Sequence, residues 1–167
     1  MASLEMQRIA EQLDRAVNGP AWHGPAILEL VKGVSAKDAA AKPIPAAHSI
    51  WELVVHTAAW LEIVRLRLDG KAPRRITEDM NWPPAGPAKS KGAKGESASR
   101  EWRTDIDRLR RAERDLHAAI ESHDDRRLSE TLPGVGDTWS AYITLHGAVQ
   151  HVLYHAGQIA ILKKGKP

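Results

Sequence analysis

Apolar residues recur at helical spacing over four long stretches of this chain, and little of it alternates as a strand would. Leu4, Ile9, Leu13 and Val17 mark the first stretch, residues 3–18, with Ser3 as a cap and Gly19-Pro20 as its stop. Pro25 falls at the first position of a shorter helix that runs through Ala26 to Val31 and halts at Gly33. Ser35 to Asp38 reads as a capped single turn, and Pro43 and Pro45 as an extended connection. Ser49-Ile-Trp-Glu52 is a capping box directly before the second long run. Its buried stripe is Ile50, Leu53, Val54, Trp60, Leu61, Val64 and Leu68, and it ends near Asp69-Gly70.

Residues 71–98 carry too many Pro, Gly, Ser and Lys for a helix and are predicted to be a loop. Trp82, set among prolines, is expected to pin that loop to the rest of the protein. The Lys cluster at 89–94 suits a solvated loop, or contact with an anion. The third long helix runs from about Ser99 to Ser122 on Trp102, Ile106, Leu109, Leu116 and Ile120. Glu113 sits in the gap of this stripe and is read either as a partner for an arginine or as a group near a metal. The Arg-rich side, with Arg108, Arg110, Arg111 and Arg114, is read as a solvated face of i,i+4 pairs. After Leu132-Pro-Gly, Asp137 or Thr138 is expected to cap the last helix, which continues to about Lys164. Four long helices with connecting loops predict an all-α fold. The expected architecture is a four-helix bundle forming a single domain over residues 1–167, with a flexible loop between the second and third long helices.

Composition narrows the chemistry. Among 167 residues there is no Cys, which removes disulfides, thiolate ligands and a cysteine nucleophile. Any metal must then rest on His, Asp, Glu or amide side chains, and any thiol must come with a second molecule. No apolar run approaches the roughly 20 residues of a membrane span. Met1 to Met6 lacks the basic start and apolar core of a secretory leader, so a cytoplasmic protein is expected, with no membrane partner. A net charge of +3, with acidic residues interleaved among the basic ones, argues against a nucleic-acid partner.

The densest chemistry lies in the last helix, in His151-Val-Leu-Tyr-His155-Ala-Gly-Gln158. Residues four apart are about 40° apart on a helix, so His151 and His155 share a face and can share a metal ion. Gln158 returns to nearly the same face, and Thr144, Gly147 and Ala148 precede it there. Gly157 would let another helix approach closely. A His-x-x-x-His pair alone also arises by chance, as surface or satisfied core histidines. His56, inside the apolar second helix, is either a buried histidine with an ordinary hydrogen-bond partner or a third ligand. His146 lies about 140° and 180° from the pair and cannot join it; His23, His48, His117 and His123 have no spacing argument.

Ser49-Ile-Trp-Glu52-x-x-x-His56 on one helix and His151-x-x-x-His155-x-Gly157-Gln158 on the last resemble the DinB-like superfamily, the DinB/YfiT-type bundle, over nearly the whole chain. The resemblance implies a metal triad of His56, His151 and His155, and a homodimer. It implies a divalent ion, with Zn or Ni foremost, in a site that keeps an open position. It also implies an enzyme that activates a low-molecular-weight thiol for transfer to a small-molecule substrate. The alternatives are a hydrolase using metal-bound water and a non-catalytic bundle that binds a metal or a small molecule. Glu52 and Gln158 are the candidate catalytic residues, as groups that orient a ligand or a bound water, although Glu52 has a competing role in the capping box.

Overall fold

The structure, a computed structural model, describes residues 4–86, 95–134 and 139–165. It is all-helical among those residues: α1 (Leu4–Val17), α2 (Ile27–Val31), α3 (Ala36–Ala40), α4 (Ile50–Leu68), α5 (Glu78–Asn81), α6 (Glu96–Glu121) and α7 (Ala141–Lys164), with a 3₁₀ turn at Asp125–Ser129. The extended geometry that occurs there is confined to two isolated bridges, Ala21 with Gly24 and Thr131 with Ser140.

The four long helices are the predicted ones, and their packing follows from their faces. α1 and α6 are apolar on one side and charged on the other, and each lays its stripe inward. α4 and α7 are apolar on most sides; α4 is buried over most of its length, whereas α7 leaves Tyr142, Ile143, Tyr154 and Ile161 exposed. α4 and α1 each pack against both α6 and α7. One core runs through them, with Leu13, Leu53, Leu61, Leu109, Leu116 and Ile159 among its buried members. Each such side chain contributes about 1.5–3 kcal/mol relative to exposure. Two indoles tie this core to buried acceptors. Trp51 Nε1 donates to Asp105 Oδ2 at 2.7 Å, and Trp102 Nε1 donates to the Val34 carbonyl at 2.8 Å.

Local signals place the helix ends. Ser49 Oγ accepts from the Glu52 N–H at 3.2 Å, and the Glu52 carboxylate accepts from the Ser49 N–H at 2.7 Å, completing the capping box. Ser35 caps α3 as expected. Several boundaries differ from expectation. α2 begins at Ile27, after Pro25, because Glu29 reaches back to accept from the Ala26 N–H at 2.8 Å. α6 begins three residues early, at Glu96. The region expected to be loop contains α5, whose start Thr77 caps; one turn is too short to show periodicity. The N-cap of α7 is Ser140, whereas Asp137 and Thr138 lie outside the described residues, as does the Lys cluster at 89–94.

Side-chain placements also depart from expectation. Leu4 is exposed rather than part of the stripe. Gly157 is exposed, and a Cβ there would meet nothing within 4 Å, so no helix among the described residues uses its smallness. Arg108 does not join an i,i+4 pair but crosses to α4, where its guanidinium forks onto Glu62 at 2.8 and 2.6 Å. Glu113 is buried and pairs with Asn18 Nδ2 at 3.2 Å and His117 Nδ1 at 3.6 Å, rather than with an arginine or a metal cluster.

Candidate metal centre

α4 and α7 place three histidines against one another. His56 Nε2 lies 3.1 Å from His151 Nε2, which lies 2.9 Å from His155 Nε2. His151 and His155 are the predicted one-turn pair, and His56 closes the group from the facing helix. One nitrogen from each ring falls within 4.8 Å of the others, so the three could hold a metal ion.

The outer nitrogens explain why the inner ones converge. His56 Nδ1 donates to the Asn81 carbonyl at 2.5 Å, and His155 Nδ1 donates to Gln158 Oε1 at 2.6 Å. With protons on those Nδ1 atoms, both Nε2 atoms of neutral rings present lone pairs to the third. His151 Nε2 has one proton at most and cannot donate linearly to both neighbours. A crowd of lone pairs at this spacing calls for a cation. Zn–N bonds of about 2.0–2.1 Å at tetrahedral angles place ligand nitrogens about 3.3 Å apart, close to the two separations from His151 Nε2. The donor set therefore fits a divalent ion with an open position.

Electrostatics keep these rings in the ligating form. Burial pushes His56 down to about 4, against the opposing Asn81 hydrogen bond and helped by neighbouring imidazoles. Burial and the other two rings push His151 down to about 3. Burial lowers His155 as well, partly offset by Gln158. All three are neutral at physiological pH.

The expected pinning by Trp82 has a specific form. Its indole lies between two imidazoles, stacked on His56 at 3.7 Å and on His48 at 3.6 Å. His48, which had no spacing argument, thus belongs to the surroundings of the site. Its Nδ1 lies 3.5 Å from the Glu52 carboxylate, which also pairs with Lys42 at 3.0 Å. Burial raises the Glu52 pKa, but the Ser49 N–H and the Lys42 ammonium outweigh this and hold it below its usual value. Gln158 thus touches a histidine of the triad, whereas Glu52 is engaged in its cap and in the Lys42 and His48 contacts. His146 stands apart, 3.9 Å from Glu5.

A cavity of about 370 Å³ opens beside His56 and His151, between α4 and α7. Thr144, Gly147 and Ala148 line it, as their shared face with His151 predicted. Arg67, Asn81 and Trp139, which were not singled out in the sequence, also line it, as does Trp60. Trp60 was assigned to the core, yet it is only half-buried and its Nε1 donates to Asn81 Oδ1 at 2.9 Å. The signal for Arg67 is its position: an arginine inside an apolar helix, eleven residues after His56, returns to within about 20° of it on the wheel.

No helix among the described residues is long and apolar enough to cross a membrane. No curated protein and no solved structure matches the chain. A model of the DinB superfamily matches residues 21–159, a span that includes all three histidines, and the chain belongs to that superfamily.

Proposed function

We propose that this protein is a metal-dependent enzyme of the thiol S-transferase type, built as a single DinB-like four-helix-bundle domain over residues 1–167 that acts in the cytoplasm as a homodimer. His56, His151 and His155 hold a divalent ion, Zn or Ni foremost. The observation that carries this reading is the convergence of three neutral Nε2 atoms, two of them on rings that line a ligand-sized cavity. An ion held by three uncharged imidazoles keeps its full charge and an open position, and so would favour the anionic form of a thiol brought by a cosubstrate.

The chain's own groups prepare that site. Asn81 and Gln158 fix the tautomers and tilts of His56 and His155. Trp82 covers one face of His56 and keeps water from it. The absence of Cys suits a nucleophile that arrives with the cosubstrate. Hydrolysis ranks second because it asks for a general base. The Glu52 carboxylate is occupied by Ser49 and Lys42, and Glu113 by Asn18 and His117.

Elemental analysis of the purified protein beside His56→Ala, followed by assay of the metal-loaded protein with several low-molecular-weight thiols and a chloroaromatic electrophile, tests the reading. We expect about one ion per chain, lost in the variant, and conjugation above the His151→Ala background with at least one thiol. Equal metal in both proteins would remove the triad; stoichiometric metal without turnover for any thiol would remove the transferase.

A further inference from the structure

The cavity beside the triad is lined by a cation that no carboxylate among the described residues neutralises. Arg67 is 6% exposed, and no carboxylate among the described residues forms an ion pair with it. Its Nη2 donates to the Gly134 carbonyl at 3.1 Å, while its Nε is buried with no hydrogen-bond partner. The guanidinium carbon lies 5.6 Å from the centre of the Trp60 ring, and that ring is 5.8 Å from the ring of His151. One indole thus separates the buried cation from the triad. Contact with the indole offsets part of the cost of burying a guanidinium, but it leaves the Nε–H unused.

The register of α4 sets the direction. Arg67 follows His56 by three helical turns, about 16 Å along the axis on the same side. Helical side chains lean toward the N-terminus, so the guanidinium leans back toward the triad. Between the two ends the walls are largely apolar, with Leu61 and Val64 from α4 and Ile143 and Ala148 from α7.

We infer that, if the metal-site reading above holds, the substrate is a small carboxylate with an apolar or aromatic body: Arg67 takes the carboxylate, the α4 and α7 walls take the body, and the reacting group lies at the His56 and His151 end. A single guanidinium at the far end of a largely apolar wall balances one negative charge and matches the two oxygens of a carboxylate. At the Arg67 end no second cation among the described lining residues stands ready for the further charge of a dianionic phosphate. The separation of the two ends favours several bonds between carboxylate and reacting group. Arg67 is therefore a specificity-determining residue.

Gly147 offers an independent handle on the same cavity. It lines the wall, and a Cβ there would meet nothing within 4 Å. Leucine at this position fills the cavity and suits the helix better than glycine.

The test is calorimetric titration of the zinc-loaded chain with hydrocinnamate and 4-phenylbutyrate, and with their uncharged primary amides. We expect the acids to bind at least tenfold more tightly than the amides. Arg67→Met should abolish that preference while leaving amide binding in place, and Gly147→Leu should weaken every probe. Equal binding of acid and amide, no binding of either acid at millimolar concentration, or a preference that survives Arg67→Met would each overturn the inference. The last outcome would place the carboxylate on the ion. If Arg67→Met does not fold, Gly147→Leu decides, because unchanged acid binding there puts the site elsewhere. Metal analysis of the same samples separates the two readings. Stoichiometric zinc without an acid preference leaves the metal site and removes this inference; an Arg67-dependent preference in a chain that holds no zinc removes the metal site, and with it the placement of the reacting group, and leaves only the carboxylate contact of Arg67.

Discussion

His56 and His151 are 95 residues apart in the chain, and their Nε2 atoms stand 3.1 Å apart. Neither helix creates this pair alone. The capping box at Ser49 sets where α4 starts, the Ser140 cap sets where α7 starts, and the core between the helices fixes their registers. The site is thus a product of helix ends as much as of histidines.

Gln158 meets the triad through His155, so on the proposed reading it would act on an ion through that ring. Gln158→Ala should lower zinc affinity about 10–100-fold, the usual range for losing a partner behind a ligating imidazole, without changing the stoichiometry. Competition against a chromophoric chelator measures this. Wild-type affinity in the variant would show that His155 is oriented by packing alone.

Acid should weaken the metal-free protein through the buried imidazoles. His56 and His151 titrate near 4 and 3 in the folded chain, against 6.5 when unfolded. Below pH 6.5 the unfolded chain takes up protons that the folded chain refuses. Stability from these residues is therefore complete above pH 6.5 and is lost as pH falls toward 3. The Tm of the metal-free wild type should drop across this window more steeply than that of a His56→Gln/His151→Gln double variant. Parallel profiles would contradict the neutral, buried state of these rings.

Trp51 and Asp105 form a buried hydrogen bond between α4 and α6. Asp105→Ala should cost about 1.5–3 kcal/mol, as expected when a charged acceptor is removed from a buried donor. Asp105→Asn keeps an acceptor and should cost less. Denaturant unfolding of the three proteins gives the comparison, and equal midpoints would show that the indole has found another acceptor.

Gly147→Ala should stabilise the protein by up to about 1 kcal/mol, since the change restores helix propensity at a position with room for a Cβ. Its unfolding midpoint should rise at unchanged m-value. A lower midpoint would mean that the glycine is needed for packing.

The long helices and both ends of the triad were legible in the sequence because each carries a repeating or tightly spaced signal. The apolar stripe of α4, broken by one histidine, is such a signal, as is the His-x-x-x-His pair on α7. What escaped depends on contacts between segments that share no period. Asn81 meets His56 through a backbone carbonyl, which any residue type supplies. His48 joins only through an indole in a different segment. Arg67 shares the face of His56, but an arginine in a helix ordinarily turns outward, and only the packing of α7 shows that this one lines a cavity. Glu113 was placed in the right gap and given the wrong partner, because the approach of Asn18 from the end of α1 cannot be read from α6.

The hold of Asn81 and Trp82 on His56 bears on how this protein can change by descent. Both lie in the connection that leaves α4, and one supplies a carbonyl while the other supplies a flat surface. Many residue types can occupy residues 71–76 while the carbonyl stays in reach. A residue gained or lost there would shift Asn81 along α4 and leave the His56 ring free to turn. Among related chains, this stretch should accordingly drift in composition sooner than in length.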